Sequence, residues 1–438
     1  MKRYTEYKDS GVPWIGEIPR DWDLNKIKYS TYVKGRIGWQ GLKSDEFIDE
    51  GPYLVTGTDL INGKINWDTC YHISEERYNE APQIQLENGD LLITKDGTIG
   101  KISIVSNKPD KAILNSGLFV TRPLCNIYIT KFMYWILNSK VFWSYFEYLE
   151  TGSTIKHLYQ ETFENFSFPV PNIQTQHSIA DYLDRKTAAI DTLISDKQKM
   201  IDLLKEKRQA IISEAVTKGL DKNVQMKDSG IEWIGEIPEH WEVKKLSYIA
   251  KTISGGTPSR DKIEYWKNGT IPWMSSGEIN NEFISNTKEF ITALGMQNSN
   301  AKILPKHTVM MALNGQGKTK GMTAILEIET TCNQSLVGFV CDDREVEYKF
   351  LFYVFKTIYK YIRSLVGDES REGLSVSFLR QQRIAVPSIS EQQKIIQYLD
   401  SITYNIEDII RDVDLQIEKL KEYRQAIISE SVTGKVAI

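Results

Sequence analysis

The sequence predicts a mixed α/β (α+β) protein built twice over: two globular regions joined by two long coiled-coil helices, related by an internal repeat. Three observations predict it. A Gly- and Pro-punctuated motif near the start returns halfway along, an uninterrupted helical stretch occurs twice, and the strand-rich regions between them, residues 23–170 and 242–386, have nearly the same length.

The motif comes first in each copy. It reads KDSGVPWIGEIPRDW from Lys8 to Trp22 and KDSGIEWIGEIPEHW from Lys227 to Trp241. Trp14, Ile15, Ile18 and Trp22 carry large apolar surface on a segment broken by glycine and proline, so an ordered strap without regular structure is expected. Its tryptophans, Trp14 and Trp22 with Trp233 and Trp241, are expected to pack on the scaffold or a partner.

The globular regions follow. In the first, Gly89–Thr94 leads through the turn Lys95–Gly100 to a strand-like Lys101–Val105; in the second, Leu304–Leu313 leads through Asn314–Gly321 to Met322–Leu326. Fainter correspondences pair Pro52-Tyr53-Leu54 with Pro272-Trp273-Met274, Gly57 with Gly277, and Asn115–Leu118 with Asn333–Leu336. The frame duplicated faithfully while the loops were rewritten.

The long helices close each copy. Gln176–Thr217 and Gln392–Thr433 contain no proline or glycine and are rich in helix formers. Ile190, Ile194, Ile201, Leu204, Ile211 and Ala215 fall on alternating steps of four and three, with Lys197 and Arg208 in the seam; Ile406, Ile410, Val413, Ile417, Leu420 and Ile427 repeat the register. At 1.5 Å per residue each helix should be about 60 Å long, and a single apolar stripe of that length wants the other copy as its partner. Two separate amphipathic helices are the alternative. Ser390 with Gln393 reads as a capping box, and Gly219 and Gly434 stand where helices end. The near-identical ends, Arg208-Gln209 onward and Arg424-Gln425 onward, are candidate scaffold or partner contacts. The expected domains are 1–170, 171–219, 220–386 and 387–438.

Composition narrows the function. With 438 residues, 41% hydrophobic and 26% charged, the chain can bury several cores, and it lacks an apolar run of membrane length or a signal-peptide core. A cytoplasmic protein is expected. Four widely spaced cysteines form no CxxC pair, and the neighbours Cys70 and His72 read as a buried thiol beside a surface imidazole rather than a metal site. A net charge of −4 excludes a protein coated in positive potential but not a local basic groove. Identical frames with rewritten loops suit the reading of two different things at a fixed separation. Lys95, Thr98 and Lys101 in one copy, and Asn314, Gln316, Lys318 and Lys320 in the other, are side chains that bind phosphates or base edges.

The paired KDSGxxWIGxIPxxW strap, Val170-Pro171 and Val386-Pro387 followed by Gln176 and Gln392, and the paired KRQAIISEAVT and YRQAIISESVT helix ends resemble the specificity subunits of type I restriction-modification systems over essentially the full length. The resemblance implies two target recognition domains, each reading one half of an interrupted, asymmetric sequence in double-stranded DNA. It implies an antiparallel coiled coil that fixes their separation, and docking of two modification (methyltransferase) subunits. S-adenosylmethionine, ATP and Mg are then expected on the modification and restriction subunits, with no cofactor, metal or catalytic residue in this chain. The candidate DNA contacts extend to Thr58, Ser116, Thr154, Lys156, His157, Ser276, Gln334, Arg371 and Ser375.

Other chemistries fit poorly. Ala312–Thr319 looks like a phosphate-binding Walker A loop, but Ala312 stands where its first glycine belongs. No N-P-P-F or D-P-P-Y tetrapeptide marks an amino-methyltransferase loop. A scaffold linking two protein-binding domains is the remaining alternative.

Overall fold

The computed structural model describes residues 3–36, 42–149, 157–315, 318–366 and 373–438. Two compact units result. The first takes in Met1–Lys197 with Leu415–Ile438, the second Gln198–Asp414.

The long helices run over Ile173–Lys218 and Ile389–Val432. They are antiparallel: Asp191 meets Arg424 and Lys197 meets Gln416 in the first unit, and Arg208 meets Glu407 in the second. Along the seam Ile190, Ile201, Ala215, Ile406, Ile410, Val413, Ile417 and Ile427 are buried. Near the C-terminal ends the buried face broadens to Ile212 and Val216, and to Ile428 and Val432, because there each helix packs into the core of its unit. The second helix starts one residue before the expected cap. Ser388 receives the free amides of Glu391 and Gln392, and Ser390 lies inside the first turn. Gly219 and Gly434 end their helices at φ +73° and +68°, a conformation costly to any residue with a Cβ.

In contrast to the expected irregular strap, each motif forms a short antiparallel hairpin, Tyr7–Asp9 with Glu17–Pro19 in the first unit and Met226–Asp228 with Glu236–Pro238 in the second. Asp9 and Asp228 turn the chain by accepting from the amides of Gly11 and Gly230, which supplies the hairpin that residue punctuation obscured. Ile15, Ile18 and Trp22 are buried in the first unit's core with Phe132, Phe166 and Ile428. Trp241 is equally buried in the second unit, where Glu391 accepts its indole N–H at 3.1 Å.

The first unit has a four-stranded sheet in the order Ile102–Ile104, Leu91–Thr94, Leu118–Pro123, Thr31–Gly35, and a three-stranded sheet in which Ala112–Leu114 runs parallel to Tyr53–Val55. The second has a five-stranded sheet in the order Ala250–Ser254, Leu336–Cys341, Val309–Ala312, Thr323–Leu326, Phe283–Ile284, and Trp273-Met274 pairs in parallel with Thr331-Cys332. The helical layer differs: Thr130–Leu137 and Lys140–Leu149 in the first unit, the unbroken Tyr348–Val366 in the second.

Three kinds of contact tie the long helices into each unit, so that each occurs twice. The Gln176 carboxamide donates to the carbonyls of Ile127 and Pro171 and accepts from the Ile129 amide; Gln392 does the same with Glu345, Pro387 and Glu347. Asp184 accepts from the Trp135 indole and Lys131, as Asp400 does from the Tyr353 hydroxyl and Lys349. Gln425 donates to the Asn138 carbonyl, and Gln209 to that of Lys356.

Candidate nucleic-acid interface

Three loops converge beyond one end of the main sheet in each unit. In the first, Lys95 donates its amide to the Gly117 carbonyl and accepts, through its own carbonyl, the Leu158 amide. In the second, Leu313 donates to Ser335 and accepts from Leu374. The matching bonds put the turn after Leu91–Thr94 or Val309–Ala312, the turn containing Asn115 or Asn333, and the segment beginning at 157 or 373 side by side. Strand sequence dictates the frame, since Leu91–Thr94 and Val309–Ala312 are buried throughout. The side chains on the turns differ.

In the first unit Thr98 is exposed, and its carbonyl accepts the Thr94 hydroxyl at 2.5 Å. The Lys101 ammonium holds the Gly57 carbonyl at 3.2 Å, beside the exposed Thr58, whose hydroxyl lies 2.7 Å from that of Thr56. Lys95 places its ammonium 5.1 Å over the Phe119 ring. Ser116 is half-buried, and His157 Nδ1 meets the Asp96 carboxylate. In the second unit Asn314 and Lys318 are exposed, Ser276 is half-buried, and Gln334 accepts the Thr257 hydroxyl. Lys318 and Arg208 line one hollow of about 320 Å³ with Lys356 and Tyr359.

Some candidates are placed otherwise than loop chemistry suggests. Lys320 is 5% exposed beneath the Arg363 side chain, because the turn folds back onto the long helix of the unit. Ser375 caps a short helix by accepting the Phe378 amide. The scaffold or partner candidates make contacts within the scaffold: Gln209 and Gln425 donate to carbonyls of their own units, and Arg424 grips Asp191 with two nitrogens. Trp14 and Trp233 are half-buried, against Tyr145 and Tyr148 in one case and Tyr361 in the other. Thr154, Lys156, Gln316 and Arg371 lie outside the described residues.

The family model for the type I restriction modification DNA specificity domain matches residues 40–202 and 238–419, one copy in each half. The chain belongs to this DNA specificity family. Among its relatives, the type I restriction enzyme MjaIX specificity subunit of Methanocaldococcus jannaschii is 24% identical, over 99% of this chain and 97% of that one. The EcoKI specificity subunit of Escherichia coli is 20% identical, over 96% and 90%. A solved chain described under complex assembly and conformational transition of the type I R-M system has a TM-score of 0.75 at 14% identity, covering 96% of this chain and 99% of that one. The HsdS subunit from Thermoanaerobacter tengcongensis reaches 0.56 at 14% identity, covering 96% and 98%.

Within this specificity family fold, two polar features escaped the sequence reading. Asp96 was hidden as one charge among many. Arg260 forks onto Glu289 at 2.5 and 2.9 Å and stacks 3.7 Å from the centre of the Trp266 ring, while burial tightens the loop before it: a Cβ on Gly255 would lie 2.3 Å from the Cys332 carbonyl oxygen. The hydrogen bond from Arg260 holds the Glu289 carboxyl below its ordinary range. An arginine close to two tryptophans was the available signal. No described helix is long and apolar enough to cross a membrane.

Proposed function

We propose that this chain is the DNA-reading subunit of a type I restriction-modification complex. Each unit reads one half of an interrupted, asymmetric target, and the paired long helices set the distance between the halves. The observation that carries the reading is the duplicated three-loop cluster: equivalent backbone bonds at Lys95 and Leu313 present different side chains on a common frame. A frame held constant under rewritten polar loops is what two separate base sequences require.

The chain recognises and does not catalyse. Methyl transfer belongs to two modification subunits that bring S-adenosylmethionine; translocation and cleavage belong to restriction subunits that use ATP and Mg. Apolar side chains left in solvent on the long helices support docking there, with Leu193 and Leu415 in the first unit and Leu203 and Tyr404 in the second, each at least half exposed. Repetition of the helix sequence supports two copies of one partner. Membership of the DNA specificity family supports action in the cytoplasm, where the DNA is.

The test is a genome-wide adenine-methylation map of a strain with and without this chain. One interrupted motif should lose methylation when the chain is removed. An unchanged map with the modification partner expressed overturns the reading and favours a scaffold between two protein-binding domains, whose interactions would show little of the steep salt dependence of phosphate contacts.

A further inference from the structure

The equivalent turns of the two units carry different side-chain pairs. Lys95 and Leu313 make the same backbone bonds, so Asp96 corresponds to Asn314, and His157, just before the stitched Leu158, corresponds to Gly373. In the first unit Asp96 and His157 face each other as a backbone bridge, and the Asp96 carboxylate holds His157 Nδ1. In the second unit a Cβ at position 373 would lie 1.6 Å from Asn314 Oδ1, so the carboxamide occupies the place where a histidine would begin. The same place on the frame is filled in two ways, by an imidazole held on a carboxylate in one unit and by a carboxamide beside a glycine in the other.

The chemistry of the first pair is directional. A carboxylate only accepts hydrogen bonds, so His157 must donate from Nδ1, and the neutral ring then carries its free lone pair on Nε2. Both side chains reach solvent, at 32% exposure for His157 and 45% for Asp96, and Gly97 beside them has nothing within 4 Å of a built Cβ. An acceptor held at a fixed angle on an open turn recognises a donor. In the major groove the base-edge donors are the exocyclic amino groups of adenine and cytosine.

Resting on the DNA-reading role proposed above, we propose that His157 is a specificity-determining residue of the first unit that accepts a hydrogen bond from an adenine or cytosine amino group, with Asp96 as its positioning residue. Asn314, presenting both a donor and an acceptor, occupies the equivalent reading position in the second unit.

The experiment maps methylation by the whole complex carrying His157→Ala, His157→Gln, Asp96→Ala or Asn314→Ala, alongside the unaltered chain. Losing a single well-made base contact lowers discrimination roughly tenfold or more. Expected for His157→Ala is a retained motif with relaxed requirement at one base pair of one half-site. Asp96→Ala should relax that same base pair, and combining the two changes should relax it no further than His157→Ala alone, an outcome that a merely structural role for Asp96 does not produce. Asn314→Ala should relax the opposite half-site. The inference is overturned if both His157 variants keep full discrimination at every position, if they relax both half-sites together, or if both abolish methylation, since an exposed reading pair is not needed for folding. If the unaltered chain directs methylation to no motif, the DNA-reading role itself falls.

Discussion

Gln176 and Gln392 sit in closed interiors, fully shielded from solvent, and each satisfies two carbonyls and one amide at the entrance to its long helix. Replacing Gln176 by the nearly isosteric Met leaves those groups without partners, and each buried orphan costs about 1 to 3 kcal/mol. We expect Gln176→Met to lower the stability of the first unit by about 3 kcal/mol. Denaturant unfolding combined with amide exchange at Ile129 checks this, with the Glu347 amide as the internal control.

Lys356 should behave in the opposite way. Burial holds its ammonium below the ordinary lysine value, outweighing the favourable charge of the Glu282 partner. Because the folded value lies below the unfolded one, the charged form costs stability at neutral pH, and the cost fades as pH rises through the folded value. Lys356→Met is expected to leave stability unchanged at pH 7 or raise it by about 1 kcal/mol, since it exchanges a buried charge for a packed thioether and leaves Glu282 half-exposed. A loss above about 2 kcal/mol in chemical denaturation would show that the ion pair stabilises.

The cysteines divide by burial. The thiols of Cys70, Cys332 and Cys341 are each pushed up to about 12, burial being the main cause, whereas Cys125 is exposed. At pH 8 almost none of the three is thiolate. A thiol reagent should therefore modify one site quickly in the folded chain and the other three only after unfolding, as peptide mapping would reveal.

A matched insertion tests the measuring role of the antiparallel pair. Seven residues added to both helices, opposite one another in the coil, add about 10 Å of helix, equivalent to at most about three base pairs. The methylated motif should gain spacer while both half-sites keep their bases. Altered half-sites with an unchanged spacer would show that the helices do not set the distance.

Periodicity made the long helices legible, because a stripe recurring at steps of four and three has few other solutions. The buried Ile201, Val413 and Ile417 lie where that stripe puts them. The broader faces at Ile212 and Ile428 were not legible, since they depend on how the chain returns over the helix ends. The hairpin in the strap was concealed by glycines that look like breaks but supply positive φ at Gly11 and Gly16. At the candidate interface, residue type singled out these turns without distinguishing how each side chain on them is engaged. Lys101 is held by a carbonyl, Lys320 is buried, and Asp96 matters only because residue 157, far away in sequence, lies beside it.

The repeated helix ends also carry a consequence for inheritance. RQAIISEAVT and RQAIISESVT differ only at Ala215 and Ser431, and each packs against the equivalent hairpin, with Ile237 and Trp241 in one unit and Ile18 and Trp22 in the other. A crossover there would join one unit to a different neighbour without disturbing a clamp, a seam or a cap. The near-identity of the frame thus makes the two readers separately replaceable, so a single exchange of one unit yields a new combination of half-sites where point changes would have to accumulate one by one.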